Sequence, residues 1–200
     1  MSILTKKTLM IAPLMLLLAC GNNQSTQQGA MSTEQSATSG STSTAAQQAH
    51  SQNAPPQGAE PARSIPDFGF YVLKSGLSFS KADLKAGDKQ VFILFDPSCS
   101  FCQHEAAYIG KNYDKFKNIN FYFISMNDPG LMSTFFDRFA QELIDKPNVF
   151  MLYDRNVDFV NKFHVPSQFP ATYIYDGNGL YQSYWNGVKT EDELVQAILN

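Results

Sequence analysis

Two cysteines three residues apart, Cys99 and Cys102, hold the most direct chemistry in this 200-residue chain. A thiolate is the nucleophile of thiol–disulfide exchange, and a second thiol close by can release the mixed disulfide that the first one forms. The pair falls where an apolar run from Gln90 to Phe95 gives way to a stretch with helical spacing. A continuous run of this kind reads as a strand buried on both faces. At the start of the helix that follows, unpaired N–H groups and the positive end of the dipole stabilise a thiolate on Cys99. Cys102, one turn in, lies on the inward face. Cys99 is therefore expected to be the nucleophile and Cys102 the resolving thiol.

Other uses of the pair fit less well. A structural bridge closing so short a loop adds little stability. Zinc takes four ligands, and no second cysteine pair exists, while His50, His104 and His164 are dispersed. Neither a metal nor a cofactor is expected. Glu105 stands three positions after Cys102 on the same side of the helix. Buried there, its carboxyl would have a raised pKa and could exchange a proton with Cys102; turned to the rim, it would be merely solvated. His104, one step round the helix, is expected outside.

The elements around the pair can be read from spacing. Residues 68–73 and 77–80, joined by Lys74-Ser75-Gly76, form a plausible hairpin. After the apolar run, a helix is expected from Ser100 to Phe116, with Cys102, Ala106, Ile109, Tyr113 and Phe116 inward. A strand at 119–125 precedes a helix opened by Asp128-Pro129-Gly130, whose Leu131, Phe135, Phe136, Phe139 and Leu143 make one stripe. A strand at 149–153 and a short helix at 157–163 follow. Asp176-Gly177-Asn178-Gly179 turns a hairpin between residues 171–175 and 180–185, and Thr190 with Glu193 forms a capping box for the last helix. Strand–helix alternation implies parallel pairing by right-handed crossovers, with antiparallel strands added by the hairpins. The expected class is α/β: a mixed central sheet with helices on both faces and an N-terminal β-hairpin extension.

Phe95-Asp96-Pro97-Ser98-Cys99-Ser100-Phe101-Cys102-Gln103-His104-Glu105, with Phe169-Pro170-Ala171-Thr172-Tyr173-Ile174-Tyr175-Asp176 far downstream, resembles the TlpA-like branch of the thioredoxin superfamily. The likeness extends over most of residues 66–200 and includes residues 77–84. It implies a thioredoxin-like fold and a cis-proline at Pro170 packed against the active-site pair. It also implies a proton-exchanging role for Glu105, and a substrate groove around Phe101, Phe169 and Pro170. Two residues depart from thioredoxins proper: Ile93 replaces the acid of the central strand, and Ser98 replaces the Trp before the first cysteine. Relatives of this branch reduce cysteines of apocytochrome c or of other exported proteins and are recharged by a membrane thiol–disulfide donor. The Ser-Phe pair between the cysteines matches neither the Gly-Pro of strong reductants nor the Pro-His of strong oxidants. Reduction is preferred, and oxidase or isomerase activity stands beside it. A thioredoxin-fold binding module that presents the groove to a protein partner is a second class. A peroxidase would need a Thr where Asp96 stands, and copper delivery a wider cysteine spacing.

The N-terminus carries an address. Lys6 and Lys7 precede an apolar run from Leu9 to Leu18, interrupted by Pro13 and too short for a bilayer, which needs about 20 apolar residues. Leu17-Leu18-Ala19-Cys20 resembles a bacterial lipobox, so residues 1–19 are expected to be a lipoprotein signal peptide and Cys20 the lipidated residue. With Cys20 set apart, Cys99 and Cys102 remain as a pair. Gly21 after the Cys points to the outer membrane under the sorting rule of diderm bacteria. From there to Arg63 the chain is Gln-, Ser- and Thr-rich, and it holds no aromatic residue before Phe68. Such a segment buries too little to order itself and serves as a tether with a mean span of roughly 35–40 Å. Residues 64–200 are then one domain, of about 135 residues, large enough for a single core. The net charge of −3 and the scattered lysines argue against nucleic acid, and Lys111, Lys115 and Lys117 read as a solvated helix face. The expected setting is the cell envelope, lipid-anchored and facing the periplasm or exterior. Cys20→Ala should abolish fatty-acid labelling and release the protein from membranes; a variant as membrane-bound as the parent would contradict the lipobox.

Overall fold

The computed structural model describes residues 59–85, 87 and 89–200. The signal peptide, Cys20 and the tether up to residue 58 lie outside the described residues.

Among the described residues, seven strands form one mixed sheet in the order β2-β1-β5-β4-β3-β6-β7. The central strands β3 (Lys89–Leu94) and β4 (Ile119–Ser125) pair in parallel, and β4 pairs in parallel with β5 (Val149–Tyr153). All seven residues of β4 are buried, as are all but the first of β3, which accounts for their unbroken apolar runs. On one side β6 (Ala171–Asp176) and β7 (Tyr181–Asn186) add an antiparallel hairpin. On the other, β1 (Gly69–Val72) and β2 (Ser78–Ser80) form the N-terminal hairpin, joined to the sheet by β1 against β5.

Alternation along the strands sorts the core into two layers. Val91, Ile93, Phe121, Phe123 and Ile174 face α1 (Ser100–Lys111) and α5 (Glu191–Leu199). Phe92, Leu94, Tyr122, Ile124, Tyr173 and Tyr175 face the opposite way, toward Phe159 of α4 (Asp158–Lys162) and Phe68 and Phe163. This is the mixed, helix-covered sheet of a thioredoxin-like domain. The final hairpin turns as its residues dictate: Asp176 Oδ1 accepts from the amides of Asn178 and Leu180, and Gly179 takes φ +78°. The capping box of α5 also forms, with Thr190 Oγ1 accepting from the Glu193 amide and Glu193 Oε2 from the Thr190 amide.

The helices depart from expectation in two places. The first ends at Lys111, and Tyr113–Phe116 continues as a separate 3-10 turn. Asn112 breaks it, its side chain donating to the Tyr108 carbonyl and to Glu191 Oε1. The helix expected after Asp128 is divided into α2 (Pro129–Ser133), α3 (Phe135–Phe139) and a 3-10 turn at Gln141–Leu143. The breaks fall at Thr134 and Ala140. They rotate the apolar face, so Met132 is buried while Leu131, expected in the stripe, is exposed.

Ordered packing also reaches back past Ser64. The Ala62 amide donates to Phe163 O, the Tyr181 amide to Arg63 O, and Pro61 is buried. The last residues of the low-complexity segment therefore lie against the domain.

Candidate active site

The end of β3 and the start of α1 deliver the two cysteines. Phe95 continues the ladder by donating to Ile124 O, and the chain then turns through Asp96-Pro97-Ser98. Asp96 Oδ1 accepts from both the amide and the hydroxyl of Ser98, at 2.8 and 2.6 Å, and the Cys99 amide donates to Asp96 O. Burial acts to raise the Asp96 carboxyl, but these bonds and one from Asn127 outweigh it and hold the pKa below the usual range. Asp96 thus acts as a charged tie for the turn. Cys99 occupies the N-cap of α1 with extended backbone angles and no side-chain cap bond, which leaves its sulfur free of the helix.

The two thiols stand in different surroundings. Cys99 is half-buried, and its Sγ lies 3.9 Å from the Phe169 carbonyl oxygen. The Phe169–Pro170 peptide bond is cis, and the Gly187 amide donates to Pro170 O, pinning that loop to the end of β7. Phe169 is half-buried beside the sulfur, Pro170 is buried, and Phe101 projects from the first turn of α1, 48% exposed. Cys102 is 2% exposed within the layer formed by Ile93, Phe95, Ala106 and Phe123. Burial pushes its thiol far above the ordinary range.

Glu105 is inside. Its side chain is 2% exposed, and the Thr172 hydroxyl donates to Oε1. Thr172 pairs in register with Ile93 on one side and Trp185 on the other. The carboxyl lies over the strand next to Ile93, the position where thioredoxins proper carry their strand acid. Burial is the largest influence on Glu105 and raises its pKa from 4.5 to about 7; Thr172, Trp185 and the charge of Lys189 pull the other way without prevailing. His104 is exposed. Thr172 and Trp185 were not marked by sequence reasoning, though a polar Thr172 facing inward from an apolar strand is a visible signal. Among the described residues, no three His, Cys, Asp or Glu side chains are grouped to hold a metal ion.

Comparison with known proteins adds to this geometry. A model of the AhpC/TSA family matches residues 61–182. A secreted Mycobacterium tuberculosis disulfide oxidoreductase, homologous to E. coli DsbE, is 26% identical; the match covers 66% of this chain and 94% of that one, with a TM-score of 0.54. A peroxiredoxin-like protein from Aquifex aeolicus, 15% identical, has the same fold over 73% of this chain and 89% of its own, with a TM-score of 0.54. Copper-bound ScoI of Arabidopsis thaliana, 13% identical, has it over 69% and 96%, with a TM-score of 0.52. No curated protein matches the chain.

The buried carboxyl has a consequence for stability. Its folded pKa of about 7 lies above the ordinary 4.5, so the fold favours the neutral form by about 3 kcal/mol over the ionised one. That contribution is present in full below pH 4.5 and is lost as pH climbs to about 7. Glu105→Gln removes the titration. Denaturant unfolding across this window should show the parent losing about 3 kcal/mol relative to the variant. Parallel pH profiles would place Glu105 in contact with solvent.

Proposed function

Because the chain belongs to the AhpC/TSA family and is a thiol–disulfide oxidoreductase, we propose that it reduces disulfides of exported proteins in the cell envelope, as a TlpA-like lipoprotein anchored through Cys20. The inequality of the two thiols carries this reading. Cys99, half-buried at a helix N-terminus, is the nucleophile; Cys102, buried beside Glu105, is the resolving thiol.

The Cys99 thiolate attacks one sulfur of the substrate disulfide, and the other leaves as a thiolate. Cys102 passes its proton to the Glu105 carboxylate and attacks the Cys99 sulfur. The Cys99–Cys102 bond forms, the bond to the substrate breaks, and the second substrate sulfur leaves with its electron pair. Two electrons have passed to the substrate. A membrane thiol–disulfide donor returns them to the Cys99–Cys102 disulfide. With a pKa near pH 7, Glu105 is available in both the accepting and the donating form.

The groove for the substrate chain is bounded by Phe101, Phe169 and Pro170. The Phe169 carbonyl, 3.9 Å from the Cys99 sulfur, is a backbone acceptor at the point of attack. Support for an exported setting comes from the signal-like N-terminus and from the 26% identity to a secreted oxidoreductase. Apocytochrome c is the substrate that the TlpA-like resemblance suggests.

Trapping tests the assignment. Cys102→Ser should hold the mixed disulfide at Cys99, so exported proteins accumulate as reducible adducts, while Cys99→Ser should trap almost nothing. No adducts from either variant would contradict catalysis and favour a groove-presenting binding module. Partner proteins that gain disulfides when mixed with the oxidised parent, with the Cys99–Cys102 bond reduced in exchange, would favour an oxidase.

A further inference from the structure

Two buried polar atoms in the site have no hydrogen-bond partner at normal geometry: Glu105 Oε2 and Trp185 Nε1. They belong to one cluster. Thr172 bonds the other carboxyl oxygen, and Thr172 and Trp185 are directly opposed across β6 and β7, so both side chains rise from the same face of the sheet toward α1. The indole is half-buried, with its nitrogen turned inward. Its ring lines an open pocket of about 400 Å³, together with Ile174, Ser183 and Lys189. Lys189 Nζ stands 5.3 Å from the ring centroid.

We propose that Trp185, with Lys189 over its ring, is the positioning pair that sets the charge of Glu105 and so the pH at which Cys102 can give up its proton. The effect on Glu105 stands on this geometry alone; the effect on Cys102 rests on the relay proposed above.

With the Thr172 hydroxyl donating to Oε1, a proton taken up on Oε2 leaves that bond in place. An indole N–H is a donor only. When Glu105 is ionised, Oε2 attracts the Trp185 N–H, and the Lys189 ammonium adds a favourable charge behind the ring. When Oε2 carries the proton, its O–H and the indole N–H are two donors facing one another. Trp185 therefore favours the carboxylate, against the burial that favours the acid. The groups that act on this carboxyl are Cys102 from α1 itself, Thr172 from β6, Trp185 from β7, and Lys189 from the loop before α5. The pair keeps Glu105 ionisable near neutral pH, where full burial alone would hold it protonated. When the disulfide is reduced again and Cys102 leaves as a thiolate, the same donor clash favours return of that proton from Glu105 to Cys102.

Infrared titration of the dithiol protein reads the Glu105 carboxyl directly, with Glu105→Gln as the blank that assigns the band. Trp185→Phe keeps an aromatic ring and removes the donor, and should raise the Glu105 midpoint by about one pH unit. Lys189→Met, at the surface, should raise it less, and added salt should abolish the difference from the parent. A midpoint unmoved in both variants would overturn the inference and leave the relay standing. A midpoint that moves while the pH profile of disulfide exchange does not would uphold the inference and overturn the relay. If Trp185→Phe does not fold, Lys189→Met with its salt dependence decides alone.

Discussion

Glu105 is buried against the sheet, with its Oε1 accepting from Thr172 and its Oε2 buried without a hydrogen-bond partner. Removing a carboxyl from water costs several kcal/mol in the ionised form, and a protein usually meets that cost by neutralising the group. Here the cost is met in part by placement. The helix that begins at Cys99 presents Cys102 and Glu105 on one face, and the sheet beneath supplies a hydroxyl at Thr172. If the helix rotated by one residue, His104 would face the core and the site would hold neither its inner thiol nor its carboxyl. Most of the architecture around the site serves to prevent that: Ala106 and Ile109 are fully buried on the same stripe, and the Asp96 tie holds the turn that starts the helix.

The outer half of the site is built on a different principle. Cys99 owes its position to the N-cap of α1 and to a loop from the far side of the sheet that brings the Phe169 carbonyl beside its sulfur. That loop is held from β7 by the Gly187 amide. The outer thiol is set by backbone geometry and the inner one by side-chain packing. A change that leaves the backbone intact can thus alter the chemistry of Cys102 without moving Cys99.

Much of this was legible in the sequence where the signal is local. The cysteine pair sits at a strand–helix junction because an apolar run meets a helical period. Glu105 is inward because it follows Cys102 by three. The turn at Asp176-Gly177-Asn178-Gly179 and the capping box at Thr190 and Glu193 are local hydrogen-bond patterns, and both form. What stayed hidden depends on pairing between distant strands. The register that opposes Thr172 to both Ile93 and Trp185 cannot be read from spacing, so Thr172 stands out as an inward polar residue while its pairing with Glu105 and Trp185 does not. The helix breaks at Asn112, Thr134 and Ala140 escaped because Tyr113, Phe116, Phe135 and Phe139 keep a helical period across them. Pro61 and Ala62 share the composition of the low-complexity segment, yet their contacts are with the domain.

The central claim is that one thiol is built to react and the other to be kept protonated until needed. Time-resolved alkylation of the reduced protein, with each cysteine followed separately by mass spectrometry at neutral pH, tests it most directly. Labelling of Cys99 should be complete before Cys102 is detectably modified, and native-state labelling of Cys102 should remain slow until the fold opens. Equal rates for the two thiols would contradict the account.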